Sequence, residues 1–117
     1  MPMYLALTYT PDVDWTAPEQ AELMKEYRRF GQDVEAAGVV RSAAVLHPTS
    51  TATTVVVRGG RGGEVVTSDG PYAETKEVLA GYYLLDCADL DEAVRWASRV
   101  PAAWGGAVEV RPVIAAK

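Results

Sequence analysis

The groups able to do chemistry are concentrated in one short run, Ser68-Asp69-Gly70-Pro71-Tyr72-Ala73-Glu74-Thr75-Lys76-Glu77. A carboxylate there can act as a general base once burial or an acidic neighbour raises its pKa, which makes Asp69 and Glu77 the candidate general bases. Lys76 would steady a developing anion. The same run reads as a binding set, with Asp69, Tyr72, Glu74 and Lys76 lining a polar cleft and Trp15 or Trp104 offering an apolar wall. The bland alternative is a turn capped by Asp69 and a solvated ion-pair loop of Glu74, Lys76 and Glu77. Asp-Gly-Pro favours a tight turn, because the Asp side chain can accept from nearby amides, Gly tolerates unusual dihedrals and Pro lacks an N–H.

His47 is the sole histidine, so any histidine general base must be this one, at a strand end beside Pro48. Asp12 and Asp14 are two carboxylates without a third ligand, too few oxygens for a divalent cation. One cysteine and one histidine exclude a conventional zinc site, so no metal is expected. The run Gly59-Gly60-Arg61-Gly62-Gly63 lacks the Gly-Lys-Ser/Thr ending and the following helix of a phosphate loop. No motif implies a cofactor.

A chain of 117 residues fits a single domain with one core, spanning residues 1–117. With 49% hydrophobic and 23% charged residues, a packed globular core is expected. A net charge of −5 argues against nucleic acid, whose non-specific affinity comes from basic patches. Cys87, flanked by Asp86 and Asp89, reads as a buried small hydrophobe, since a reactive thiol wants a cation nearby. Met1-Pro2-Met3-Tyr4 has no basic segment before an apolar stretch, and no run approaches the roughly 20 apolar residues of a membrane helix. A cytoplasmic protein without membrane contact is expected.

The elements that must hold these groups follow from hydrophobic period. Residues 3–9 form a first strand with Met3, Leu5, Leu7 and Tyr9 on one face. Thr16-Ala17-Pro18-Glu19 matches a capping box for a helix over 17–37, with Leu23, Tyr27, Phe30 and Val34 as its apolar stripe and Gly38 as its left-handed end. Residues 39–46 and 51–58 are strands, the second rich in Thr and Val, followed across the glycine run by a short strand at 64–67. Residues 78–86 form a long strand, with Leu79, Gly81, Tyr83 and Leu85 assigned to one face and Gly81 marking a bulge or close approach. Asp89 caps a second helix closed by Pro101, residues 102–106 are a loop, and 107–113 is the last strand.

This order makes two βαβ-like halves: an α+β ferredoxin-like sandwich, an antiparallel sheet with two helices on one face and an inserted hairpin. The opposite sheet face carries apolar side chains that two helices do not cover, so a homodimer is predicted.

Asp69-Gly70-Pro71-Tyr72 followed by Glu74-Thr75-Lys76-Glu77, the Gly81-Tyr82-Tyr83 strand and Val108-Glu109-Val110-Arg111-Pro112 together resemble the YCII-related family, in its subgroup named for an Asp-Gly-Pro-Phe (DGPF) motif. Tyr72 stands where that motif has Phe. The resemblance covers nearly the whole chain and implies a ferredoxin-like protomer of the dimeric α-β barrel type, with a cleft at the sheet face or subunit interface. It also implies, for some relatives, an enzyme using a histidine and aspartate pair, the histidine lying in the first turn of the first helix. Here Gln20 occupies about that region, so acid-base work would fall to Asp69, Glu74, Glu77 or His47. Proteins of the subgroup are often encoded beside extracytoplasmic-function sigma factors, which implies an accessory or regulatory role with a protein partner. The favoured expectation is a small-molecule binding module at the Asp-Gly-Pro-Tyr loop, with a cleft-carboxylate enzyme and a sigma-factor accessory protein as the alternatives.

Overall fold

The computed structural model describes residues 2–115. Strand β1 (Met3–Thr10) leads into helix α1 (Ala21–Ala36) through a 3-10 turn at Pro18–Gln20, and α1 returns into β2 (Val40–Val45). A hairpin of β3 (Thr53–Arg58) and β4 (Glu64–Asp69) follows. The chain then forms β5 (Val78–Asp86), α2 (Leu90–Ala97), the single turn α3 (Ala102–Gly105) and β6 (Ala107–Pro112).

Four strands make one antiparallel sheet in the order β2-β5-β1-β6, while β3 and β4 pair only with each other. Each helix therefore crosses over one intervening strand, which is the split βαβ arrangement of the ferredoxin-like fold. The β1 sequence dictates which face the helices take. Tyr4, Ala6, Thr8 and Thr10 are buried and alternate with half-buried Met3, Leu5, Leu7 and Tyr9. Of the buried set, Tyr4 and Ala6 meet Phe30 and Val34 of α1, together with Leu85 and Val100, in the core. Phe30 is the hinge of that core, edge-on to Tyr83 at 5.0 Å and to Trp96 at 6.3 Å between ring centroids. Arg99 clamps the two helices from outside, bonding Asp33 at 2.7 Å and lying 4.7 Å over the Trp96 ring.

Several local expectations change. Thr16 does not cap α1. Its amide and hydroxyl both donate to Asp14 Oδ1, at 2.9 and 2.6 Å, and the helix opens instead through the Pro18 turn without a side-chain cap. The reciprocal capping box belongs to α2, where the Glu92 amide donates to Asp89 Oδ1 at 2.9 Å and the Ala88 amide donates to Glu92 Oε1 at 2.6 Å. Residues 102–105 are a helical turn rather than loop. Within β5 the ladder shifts, so that Thr8 pairs with Gly81 but Tyr9 pairs with Leu79. Ala80 is the extra residue. It turns Leu79 away from the helices and onto the Leu5–Leu7–Tyr9 face, contrary to the alternation read from sequence. Gly81 serves the close approach: a Cβ there would lie 2.4 Å from the Ala44 carbonyl oxygen on β2.

Candidate functional site

Leu7, Tyr9, Leu79, Tyr82 and Leu84 fall on the sheet face opposite the helices, by their pairing across β1 and β5. At one end of this face the two loops that lead into and out of the hairpin enclose a cavity of about 730 Å³. Tyr9, Val78 and Leu79 form its floor, Leu46, His47, Pro48, Thr49, Thr51 and Ala52 one wall, and Pro71, Tyr72, Ala73 and Thr75 the other. The segments on either side of the hairpin thus converge, because the hairpin brings its own ends together.

Hydrogen bonds fix both walls. The Gly70 amide donates to the Ala52 carbonyl at 2.8 Å, and Thr54 Oγ1 donates to the Gly70 carbonyl at 2.8 Å. Gly70 turns the chain at φ +101°, a conformation other residues rarely adopt. On the far wall Asp12 reaches from the β1–α1 loop: Thr49 donates to its carboxylate through the amide at 3.1 Å and through the hydroxyl. Those two bonds, the hydroxyl first, hold the Asp12 carboxyl below its ordinary pKa. Asp14 is lowered in the same way by Thr16, with a smaller contribution from the charge of His47, whose loop lies nearby.

The lining is more apolar than its residue names suggest. The Thr49 hydroxyl is spent on Asp12, that of Thr51 on the Pro48 carbonyl at 2.7 Å, and that of Thr75 on the Glu77 carbonyl. The threonines therefore present mainly methyl groups. Among the described residues, the lining side-chain polar groups left without an internal hydrogen bond are the His47 ring and the Tyr9 and Tyr72 hydroxyls. Tyr72 is 88% exposed and stands at the mouth.

Of the residues singled out from sequence, His47 and Tyr72 come together here, and Asp69, Glu74, Lys76 and Glu77 do not line the cavity. Asp69 ends β4 opposite Thr53, exposed, and its side chain caps nothing among the described residues. The turn is held by backbone and Thr54 instead. Glu74 and Lys76 are exposed. Glu77 is half-buried and turns toward Gly106, where a Cβ would lie 3.0 Å from its Oε2. Trp15 and Trp104 belong to a separate cavity of about 380 Å³ near the N-terminal end of α1, together with Gln20. What sequence reading missed was the floor and the threonine wall. The signal for Tyr9 was present in the β1 alternation, but the bulge at Ala80 concealed Leu79.

Cys87 is fully buried, and its thiol is pushed up to about 11 by burial and then by Glu92, Asp86 and Asp89. No group of three or more metal-binding side chains occurs among the described residues. None of their helices is long and apolar enough to cross a membrane.

A protein of Rhizobium meliloti (strain 1021), described only as uncharacterised, is 36% identical over 116 residues, covering 95% of this chain and 91% of its own length. The YCII-related domain profile matches residues 1–117. With the split βαβ sheet and its hairpin insertion, this match means that the chain belongs to the YCII-related domain family.

Proposed function

We propose that this protein is a small-molecule binding module whose ligand is a largely apolar, aromatic-sized organic compound carrying one or two hydrogen-bonding groups. The observation that carries this reading is the convergence of the His47 and Tyr72 loops on one cavity with an apolar lining and few free polar groups, the usual composition of a ligand pocket. The volume, about 730 Å³, lies in the range of roughly 300–1,000 Å³ that such pockets occupy. His47 can donate or accept, the tyrosine hydroxyls can do both, and the floor offers ring and methyl contacts. The Asp69-Gly70-Pro71-Tyr72 sequence supports assignment to the DGPF subgroup, with Tyr72 in the place of the motif's Phe.

The floor residues Tyr9 and Leu79 continue the Leu7–Leu84 face, so a second copy packed on that face would roof the cavity. This supports a homodimer with its sites at the interface. A carboxylate general base is not favoured, because no acidic side chain lines the cavity. The test is a thermal-shift screen against a metabolite panel, followed by titration of any hit. A ligand that prefers the folded state raises the midpoint. The expected result is a shift that His47→Ala and Tyr72→Ala each diminish while Glu74→Ala does not. A hit insensitive to both cavity variants would place binding elsewhere and defeat this reading.

A further inference from the structure

Among the described residues, the β3–β4 hairpin packs on no other helix or strand. It forms a separate two-stranded sheet, and an isolated hairpin is at best marginally stable in water. The Cα radius of gyration is 16.2 Å, where a compact chain of this length has about 13 Å. The principal extents are 46 × 43 × 20 Å. A thickness of 20 Å is that of one helix layer on one sheet, so the hairpin extends sideways as an arm and, among the described residues, nothing covers the open sheet face. One face of the arm is apolar and solvated. Val57 and Val65 are paired across the strands and Val55 lies two residues along, and they are exposed by 44%, 65% and 60%. The tip carries Arg61 beside an Arg58–Glu64 pair at 3.8 Å, a net positive end on a chain whose net charge is −5.

We propose that this arm is received by a second copy of the same chain, and that its docking fixes the geometry of the ligand cavity. This rests on the homodimer reading above and adds to it the role of the arm. Three observations select a second copy. Each molecule offers both an apolar arm and an uncovered apolar sheet face, and two such patches on identical chains close through a two-fold axis. The areas suffice: four strands over six residues present about 400 Å² in projection, and the two-stranded arm adds about 200 Å². Side-chain relief brings that into the range of the ~800 Å² per partner of a stable interface. The basic tip also complements an acidic body.

The link to the cavity is covalent. The arm's two feet are the cavity walls: β3 begins after Thr51 and Ala52, and β4 ends before Pro71 and Tyr72. The Ala52–Gly70 and Thr54–Gly70 bonds join them at the base. An arm held by its partner therefore restrains the His47 and Tyr72 walls further, and a free arm leaves these intrachain bonds alone to hold them.

The test combines Val55→Thr, Val57→Thr and Val65→Thr, which retain strand-compatible β-branched residues and remove the apolar patch. Sedimentation equilibrium is expected to give dimerisation about tenfold or more weaker than wild type, as three apolar contacts are lost. Amide exchange at residues 47–52 and 70–75 is expected to accelerate. Independently, Val65→Cys is labelled with a benzophenone in light and heavy isotopic copies; buried Cys87 stays unlabelled. Photolysis of the mixture is expected to yield light–heavy cross-links. An unchanged dimer in the triple variant, or cross-links confined to one chain, overturns the arm proposal and leaves the sheet-face dimer standing. A monomeric wild type overturns both, while ligand binding is scored separately by the thermal-shift screen.

Discussion

Asp12 illustrates how a residue outside the apparent motif can hold a site together. Its carboxylate accepts twice from Thr49 and so anchors the His47 wall to the end of β1. Because its native pKa is depressed, the carboxylate form is favoured by the fold. The contribution is complete above the unfolded pKa and is lost as pH falls through the lower native value. The Thr49 amide resonance is therefore expected to titrate below the ordinary carboxylate range. In Asp12→Ala its exchange should quicken at neutral pH with little change in the global midpoint. A pH-independent Thr49 signal down to that range would show that the clamp does not form. Cys87 supplies a second check: burial and its acidic neighbours hold it as a thiol, so native protein should resist maleimide and react only when unfolded. The burial of Cys87 was legible from its flanking aspartates and strand context. The role of Asp12 was not, because Thr49 is 37 residues away, and a two-residue acidic loop gives no indication of which distant donor it will meet. Sequence proximity gathered the charged groups at residues 74–77, but proximity along the chain does not fix what they face: Glu74 and Lys76 are exposed, and none of Glu74, Lys76 and Glu77 lines the cavity.

At the scale of elements, alternation and capping chemistry located nearly every helix and strand, and errors arose where one residue disturbed the period. Ala80 is that residue in β5. Its bulge reverses Leu79, and the neighbouring Gly81 lets β2 approach closely. Gly81→Ala is expected to cost about 1–3 kcal/mol, as overpacking against backbone does, because its Cβ would collide with the Ala44 carbonyl. Denaturant unfolding measures this, and a neutral result would mean that β2 yields readily. The two helices share one capping signal but use it differently. Thr16 and Glu19 have the right spacing, yet Asp14 captures Thr16 first, while Asp89 and Glu92 complete the reciprocal bonds at α2. Asp89→Ala should therefore destabilise by roughly 1 kcal/mol, and Thr16→Ala should not act through loss of a helix cap.

At the scale of the whole molecule, the decisive feature is that one face of the sheet is finished and the other is not. The helix face buries Ala6, Leu85, Phe30 and Val34, whereas Leu5, Leu7, Tyr82 and Leu84 remain half-buried with no layer above them among the described residues. That asymmetry was visible in β5, where both alternating sets are mostly apolar and only one can face two helices. Leu7 lies on the uncovered face, paired with Tyr82 and Glu109, so a lysine there meets solvent and a carboxylate in the monomer but desolvation in a dimer. Leu7→Lys is accordingly expected to keep the monomer fold, since the helix-side core is untouched, and to abolish dimerisation. For wild type the thermal midpoint should rise with protein concentration, as association favours the folded state. For Leu7→Lys it should become independent of concentration, and the ligand-induced shift should shrink because Tyr9 and Leu79 lose their roof. A variant that dimerises as wild type does would show that the open face is not the interface. A variant that becomes monomeric but keeps the full ligand shift would separate the two halves of the reading, with the cavity complete in one chain and the dimer serving another end.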